Sequence, residues 1–377
     1  MSRLRILHLM SGRGWSSDAY GAARVVVELE RAGHDVTLCC RAGTEARVIE
    51  RARQMGVGRI VTLGFKSGFR PRDDLTDIRR LREWLPHFDV VHVHRGKEHW
   101  VAALANRLSK TPRPLFRTRH IVHAVRPHAA NRWLYGTATN FVVTVTEAIR
   151  RQYVTSGLLP PERVVTLPGG VDAEEFHPGL DGSLLRVDFG VPRDRLLVGM
   201  VSGLRVMKGH EVVIQAASVL AQDGIRPHFL LIGKGRREER IRELIRGEGL
   251  EDQVTLVGFI SDLPRAMAAL DVALYVPLES DGMSRVVFEC LALGRPLIAS
   301  RVGVVPEILV DGRDALLVPA GDPELLAAAI KRLVANPVLR TSLGLAARRL
   351  VLVHYSGARA AARLANLYTA VVRGLSA

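Results

Sequence analysis

Short apolar runs alternate with helical patterns along almost the whole 377-residue chain. A run that is apolar throughout is typical of a strand buried on both faces, and strands separated by helices are typical of parallel sheets. The predicted strands are residues 4–10, 36–40, 59–63, 89–94, 115–120, 141–145, 196–201, 229–232, 254–257, 272–276, 296–299 and 315–318. The sequence therefore predicts an α/β protein.

The alternation lapses between residues 160 and 195, where prolines and glycines are frequent. Domain boundaries tend to fall in such segments, and a chain of this length is long for one hydrophobic core. The two halves on either side are similar in size. We therefore predict two domains, with a boundary at residues 170/171.

The first predicted strand ends in a glycine loop, Gly12-Arg13-Gly14, and a helical pattern follows. A dinucleotide fingerprint would need a third glycine, where this chain has Ser17, and an acid after the second strand, where it has Arg41. An NAD-dependent oxidoreductase is therefore weakly supported. Gly12 and Gly14 still predict a backbone that a ligand can approach closely.

Residues 281–289 read as a loop with two small residues, Gly282 and Ser284, that runs into a helix. The first turn of a helix offers unpaired N–H groups and a positive dipole end, which together suit a phosphate. If the helix begins near Ser284, Asp281 belongs to the loop and Glu289 to the second turn. Two acids beside a phosphate site fit a sugar nucleotide, whereas an ordinary surface helix start is the alternative.

His120 lies at the polar end of a predicted strand, at the edge where ligands gather in open parallel sheets. It is a candidate for contact with a reacting sugar, or else a structural histidine. For His92 and His94, within the preceding strand, the structural interpretation is favoured.

Composition favours a globular protein in a reducing compartment. Cys39, Cys40 and Cys290 show no metal-ligand spacing and are expected to be buried apolar residues. No signal-like region precedes the first strand, and no window of eighteen uninterrupted apolar residues occurs, so we expect neither export by an obvious signal nor a membrane-spanning helix.

The net charge is +15, and residues 1–175 hold most of it, with 28 Lys and Arg against 17 Asp and Glu. Such an excess can attract nucleic acid, an anionic membrane or a phosphorylated substrate, or it can be a solvated surface without a partner. Only 5% of residues are aromatic and no nucleic-acid motif occurs, so no nucleic-acid partner is predicted.

Several motifs together resemble one family, the retaining glycosyltransferases of the glycogen synthase-like superfamily (family 4 type). More narrowly, they resemble the bacterial enzymes that build lipopolysaccharide cores and capsules. The motifs in the second half of the chain are SGLRVMKGH at 202–210, GKG at 233–235, VGF at 257–259, DGMSRVVFE at 281–289, GRP at 294–296 and GVVPEI at 303–308. In the first half they are residues 12–14, 33–36, 117–120, 168–172 and 176–178.

The resemblance implies two facing Rossmann-like domains of the GT-B type. Residues 1–170, joined by a C-terminal helix from about residue 354 to 377 that crosses back, would bind the acceptor. Residues 171–353 would bind a nucleoside diphosphate-sugar.

By motif match, each candidate residue has an implied role. The implied contacts are Arg205 and Lys208 with the diphosphate, Gly233 and Gly235 with the donor, the amides of Gly282, Met283 and Ser284 with phosphate, Glu289 with ribose, Asp281 with the donor sugar, Phe259 and Ile260 with the base, Gly12 and Gly14 with phosphate or acceptor, and His120 with the transferred sugar.

The chain departs from the family pattern at two positions. Asp281 stands where the family usually has Glu, which puts the choice of donor sugar in question. Gly203 stands where the family usually has an arginine, so that role is assigned to Arg205.

The implied chemistry needs no metal or other cofactor: cations and amides stabilise the leaving diphosphate, and the sugar keeps its anomeric configuration. The expected partners are a nucleotide-sugar, a lipid-linked or lipopolysaccharide-type acceptor and an anionic membrane surface, at the inner face of the cytoplasmic membrane. An epimerase or phosphorylase of the same fold is the alternative.

Overall fold

The computed structural model describes residues 3–280, 282 and 284–374. The chain divides into two compact units: one comprises the chain up to Gly170 together with the segment that starts at Gly357, and the other is Val171–Ser356. We call these the first and the second unit. The first boundary coincides with the expected one at 170/171, and the second lies three residues beyond residue 353.

The first unit contains a parallel sheet of seven strands, in the order β3-β2-β1-β4-β5-β6-β7. The strands are β1 (Arg5–Met10), β2 (Asp35–Arg41), β3 (Ile60–Leu63), β4 (Val90–Val93), β5 (Leu115–Arg119), β6 (Phe141–Thr144) and β7 (Val164–Thr166). The α-helices between them are α1 (Ser17–Arg31), α2 (Glu50–Gln54), α3 (Pro71–Trp84), α4 (Gly96–Arg107), α5 (Ala129–Asn131) and α6 (Glu147–Thr155).

Strand β7 corrects the sequence interpretation, which treated residues 160–195 as an irregular linker. Its residues pair in parallel with β6, with Val164 opposite Val142. Three residues between proline-rich segments are too few to establish a periodic pattern, although Val164, Val165 and Thr166 all have the branched side chains that favour strands.

The second unit contains a parallel sheet of six strands, in the order β10-β9-β8-β11-β12-β13. The strands are β8 (Leu197–Val201), β9 (His228–Ile232), β10 (Val254–Val257), β11 (Val272–Tyr275), β12 (Leu297–Ser300) and β13 (Leu316–Val318). The α-helices are α7 (Ser183–Asp188), α8 (His210–Gln222), α9 (Glu238–Gly247), α10 (Leu263–Ala268), α11 (Arg285–Ala292), α12 (Val305–Ile308), α13 (Pro323–Ala335) and α14 (Pro337–Leu350).

Both faces of this second sheet are covered. Leu197 and Leu230 belong to one apolar cluster, and their neighbours Val198 and Phe229 belong to the other. Successive side chains of a strand point to opposite faces, so strands covered on both sides must be apolar throughout. This explains why uninterrupted apolar runs predicted these strands.

The last helix, α15 (Gly357–Val372), belongs to the first unit and packs against α1. Its buried residues Ala361, Leu364 and Tyr368 join the apolar core there. The sequence expectation that the C-terminal helix returns to the first domain agrees with this packing.

The strand order reverses between β1 and β4 in the first sheet and between β8 and β11 in the second. In open parallel sheets, ligands bind outside the carboxyl ends of the strands at such switch points. The α/β fold class is confirmed. Its topology predicts ligand sites at two loop clusters, one at the switch point of each sheet. Among the described residues, we find no helix long and apolar enough to cross a membrane.

Candidate functional site

In the second unit, the loops that follow β8 and β11 are packed together. The Leu278 amide donates to the Met207 carbonyl at 2.8 Å. Gly209 has a φ of +79°, and a Cβ there would lie 2.0 Å from the Val276 carbonyl oxygen, so only glycine fits. The segment that carries Arg205 and Lys208, the two cations predicted to bind phosphate, is thus fixed against the end of β11.

The two predicted cations differ in their surroundings. Arg205 is exposed, whereas Lys208, at the end of the helical turn Val206–Lys208, is only 7% exposed. A buried ammonium group is costly unless it is paired or hydrogen-bonded. Lys208 therefore places a positive charge within the loop cluster at the switch point.

Gly233 and Gly235, predicted to contact the donor, have a steric role within the loops. A Cβ at Gly233 would lie 1.9 Å from the Ser202 carbonyl oxygen, and one at Gly235 would lie 2.4 Å from that of Leu204. These glycines let the loop after β9 pack against the loop after β8. Contact with the donor itself stays a prediction.

Asp281 and Met283 lie outside the described residues. Between them, Gly282 is buried with a φ of +97°, and its amide donates to Ser280 Oγ at 3.2 Å. A phosphate held by the Gly282 amide would therefore replace or share this bond. Gly303, after β12, packs here too, since a Cβ on it would lie 2.9 Å from Ser280 Oγ.

The predicted helix start is confirmed. Ser284 directly precedes α11, which begins at Arg285, and Glu289 falls in its second turn. Ser284 makes no side-chain capping bond to the helix. The first amides of α11 thus lie next to the Gly282 turn.

Glu289 is almost fully buried, with 1% exposed. Its Oε1 lies 2.8 Å from Arg285 Nε, while Oε2 has no hydrogen-bond partner among the described residues. Burial raises the pKa of Glu289 to about 7, opposed by the charge of Arg285 and assisted by that of Glu175. Glu289 is thus a buried acid with an oxygen available to a hydroxyl donor.

The predicted base contacts lie after β10. Phe259 is 68% exposed and Ile260 is half-buried. Water contact of this extent is unfavourable for an aromatic ring, so Phe259 is suited to stacking on a planar ligand.

In the first unit, Gly12 and Gly14 follow β1 at the switch point. No atom lies within 4 Å of a Cβ built on Gly14, and the nearest atom to one on Gly12 is 3.5 Å away. Unlike Gly233, these glycines are not required by packing. Their loop lines a cavity of about 460 Å³, whose walls are Ser11, Arg13, Gly14, Trp15, Ser16, Phe65, Ser67, Arg95 and Lys97.

Sequence reasoning missed the basic side chains of this cavity. Arg95 lies two residues after the end of β4 and forms an ion pair with Asp18, with Nε 2.6 Å from Oδ2. Burial acts to raise the pKa of Asp18, but the hydrogen bonds from Arg95 and Ser16 outweigh it and lower that pKa to about 2. The position of Arg95 after a switch-point strand was the available signal.

The turn after β3, which contributes Phe65 and Ser67 to the cavity wall, is fixed by Asp77. The Asp77 carboxylate accepts hydrogen bonds from the amides of Gly64 and Phe65 at 2.9 and 2.8 Å. Phe65 has a φ of +41°, an unfavourable backbone conformation for a bulky residue. Ser67, two residues on, accepts from both Arg13 and Arg41. This wall of the cavity is thus a constrained turn whose Ser67 hydroxyl binds the guanidinium groups of Arg13 and Arg41.

His120 immediately follows β5 and is partly exposed. Its Nε2 lies 3.3 Å from Nδ1 of His94, so the structure joins two residues that the sequence analysis treated separately. Burial lowers the pKa of His120 to about 4, so the ring is neutral at pH 7.

Across the described part of the chain, no group of three His, Cys, Asp or Glu side chains is placed to hold a metal ion. That the reaction needs no metal stays a prediction. The three cysteines are buried thiols, as predicted.

Two solved structures share this architecture. A glycosyltransferase from Rickettsia africae aligns over 99% of both chains with a TM-score of 0.88 and 19% identity. HepE from Anabaena, solved in complex with UDP, aligns over 97% of this chain and 100% of its own with a TM-score of 0.83 and 18% identity. The fold is therefore that of the GT-B glycosyltransferases.

Family models assign both halves of the chain. "Glycosyltransferase Family 4" matches residues 20–175, and "Glycosyl transferases group 1" matches residues 195–336. The chain belongs to the family 4 type of the GT-B glycosyltransferase superfamily. A curated relative, the D-inositol 3-phosphate glycosyltransferase of Acidothermus cellulolyticus, is 30% identical over 285 residues, or 68% of this chain. The chain spans 61% of the length of that relative.

Proposed function

We propose that the chain transfers a sugar, with retention of its anomeric configuration, from a nucleoside diphosphate-sugar to an acceptor hydroxyl. The observation that carries the proposal is the switch point of the second unit, where buried Lys208, the Gly282 turn, the start of α11 and buried Glu289 occur together. Membership in the family and the UDP complex of the Anabaena neighbour support it.

In this proposal, Glu289 accepts hydrogen bonds from the ribose, and Phe259 and Ile260 contact the base. Gly282, Met283 and Ser284 offer amides to the diphosphate, together with Arg205 and Lys208. Cleavage of the bond between the anomeric carbon and the diphosphate oxygen leaves negative charge on that oxygen. Fixed cations and oriented amides stabilise it.

The acceptor hydroxyl attacks the anomeric carbon on the face from which the diphosphate departs, and its proton passes to the leaving phosphate. No nucleophilic carboxylate takes part. Asp281 contacts the donor sugar, and the family's usual glutamate is one methylene longer, so this position sets part of the donor specificity.

We further propose that the acceptor is a glycolipid or lipopolysaccharide-type molecule with a negatively charged group, bound by the first unit at the inner face of the cytoplasmic membrane. The cavity beside Gly12 and Gly14 supports this, since Arg13, Arg95 and Lys97 all line it. The positive charge of residues 1–175 favours an anionic surface.

Product analysis tests the reaction. The protein is incubated with nucleotide-sugars and membrane glycolipid extracts, and the products are examined by mass spectrometry and by NMR of the anomeric proton. A glycoside with the donor's anomeric configuration is expected. Inversion would contradict the retaining mechanism, and free nucleotide with an isomerised sugar would instead indicate an epimerase.

Vesicle sedimentation tests the membrane part. We expect binding to vesicles that contain anionic lipid, lost as salt is raised, and little binding to zwitterionic vesicles. Equal binding to both kinds of vesicle, or to neither, would contradict it.

A further inference from the structure

Four histidine rings form a stack within the first unit that ends at His120, just after β5. His8 lies on β1 and His92 on β4, while His94 and His120 follow β4 and β5. The ring centroids are 4.8 Å apart for His8 and His92, 4.9 Å for His92 and His94, and 5.6 Å for His94 and His120. The rings of His8, His92 and His94 are buried.

A continuous chain of hydrogen bonds joins these rings to the last helix. Tyr368 of α15 places its hydroxyl 2.5 Å from Nδ1 of His92 and 3.3 Å from Nε2 of His8. Nδ1 of His8 lies 3.0 Å from Nε2 of His94, and Nδ1 of His94 lies 3.3 Å from Nε2 of His120. At the other end, Nε2 of His92 lies 2.6 Å from the Thr118 hydroxyl.

All four rings are neutral at pH 7. Burial lowers the pKa of His8 to about 3 and that of His120 to about 4, and it lowers the pKa values of His92 and His94 well below the ordinary value of a histidine. A neutral imidazole carries one proton, so one nitrogen donates and the other accepts. In this series of hydrogen bonds, the direction of one bond therefore fixes the direction of the next bond.

Two arrangements satisfy every bond and also give the phenol proton an acceptor among these rings. If Tyr368 donates to His92, then His8 donates to Tyr368, His94 to His8 and His120 to His94. Nδ1 of His120 is then unprotonated. If Tyr368 donates to His8 instead, every bond reverses and Nδ1 of His120 carries the proton.

The contact of Tyr368 with His92, at 2.5 Å, is much shorter than its contact with His8, at 3.3 Å. Donation by the phenol hydroxyl gives the stronger bond, so we assign the phenol proton to the shorter contact, the one with His92. The first arrangement is therefore selected. Nδ1 of His120 makes no hydrogen bond within the described part of the chain and is available to a ligand.

We propose that Tyr368, His8 and His94 are positioning residues that hold His120 with its proton on Nε2, so that the unprotonated Nδ1 accepts a hydrogen bond from a hydroxyl of the transferred sugar. The role toward the sugar rests on the proposed function. The tautomer is a property of the protein alone.

The experiment reads the tautomer and the kinetics separately. Long-range ¹H–¹⁵N correlation spectra of protein labelled in histidine report which nitrogen of each ring is protonated, and a His120→Asn variant assigns the signal. We expect the Nε2–H tautomer in the wild type. In Tyr368→Phe, we expect a mixture of tautomers and a kcat about tenfold lower, with donor affinity nearly unchanged.

Tyr153→Phe is the matched control, because Tyr153 is also a buried tyrosine of the first unit and bonds none of these histidines among the described contacts. If Tyr368→Phe does not fold, His8→Asn interrupts the same chain between Tyr368 and His94. A wild-type ring protonated on Nδ1, or variants that keep the tautomer and kcat of the control, would overturn the inference. Absence of nucleotide-sugar binding would instead refute the proposed function and leave the tautomer result standing.

Discussion

Glu289 titrates in the range where the protein would work, because burial raises its pKa to about 7. Ribose hydroxyls donate to a carboxylate more strongly than to a carboxylic acid, so a bound donor favours the ionised form. We predict that donor affinity increases as pH rises through about 7, and that Glu289→Gln weakens binding about tenfold and removes this pH dependence. Calorimetry with a nucleotide-sugar, whose diphosphate does not titrate in this range, measures both effects.

Glu251→Gln is a suitable control, since Glu251 is exposed on the surface of the same unit. It should leave the affinity and its pH dependence unchanged. The same pH dependence in wild type and Glu289→Gln would show that another group is responsible.

At the residue scale, the sequence was sufficient to predict the position of Glu289 in the helix, but not its burial or its hydrogen bonding. The small residues before the helical pattern at 285–292 predict where the helix starts, and the helical period then puts Glu289 in the second turn. That Oε2 has no partner among the described residues depends on α11 packing against the sheet, which no local pattern encodes. The histidine chain was missed for the same reason, because its members lie on β1, on or just after β4 and β5, and on α15.

At the element scale, glycines in the loops after β8, β9 and β11 let these loops pack together. Gly233 has a φ of +153°, and a Cβ there would lie 1.9 Å from the Ser202 carbonyl oxygen. We predict that Gly233→Ala destabilises the protein by about 2 kcal/mol or more and weakens donor binding, because the loop must move. Urea unfolding and calorimetry measure the two effects.

Gly247→Ala provides the matched control. Gly247 ends α9, and no atom lies within 4 Å of a Cβ built there, so alanine should be neutral or slightly stabilising. Equal stability of the two variants would contradict the steric account of Gly233.

The strands were predictable because parallel sheets covered on both faces need apolar residues at every position. β7 was not predictable, because three residues at the sheet edge give too short a pattern. The glycines at 233 and 235 were recognised, but their reason was not: a sequence does not show which carbonyl oxygen approaches them.

At the scale of the whole molecule, the buried histidines of the first unit make its stability depend on pH. His8 and His120 are neutral in the folded chain to about pH 3 and 4, whereas an unfolded histidine protonates near pH 6.5. Their neutral form therefore stabilises the fold fully above about pH 6.5, and this stabilisation is lost as pH falls toward 4. Each group contributes about 1.4 kcal/mol per pH unit within that range.

We therefore predict a steep fall in the unfolding midpoint between about pH 6.5 and 4.5. Thermal scans at several pH values measure it. His8→Gln should be less stable at neutral pH but lose less stability per pH unit. An unfolding midpoint that does not change over this range would contradict the buried neutral state of the histidines.

We propose above all that the second unit binds a nucleoside diphosphate-sugar through Lys208 at its switch point. A thermal-shift screen of uridine, guanosine, adenosine and thymidine diphosphate-sugars tests it most directly, since a ligand that binds the folded state raises the unfolding midpoint. We predict that at least one raises it and that Lys208→Ala reduces the affinity about 10- to 100-fold. No shift with any of them, or the same shift in Lys208→Ala, would contradict the claim.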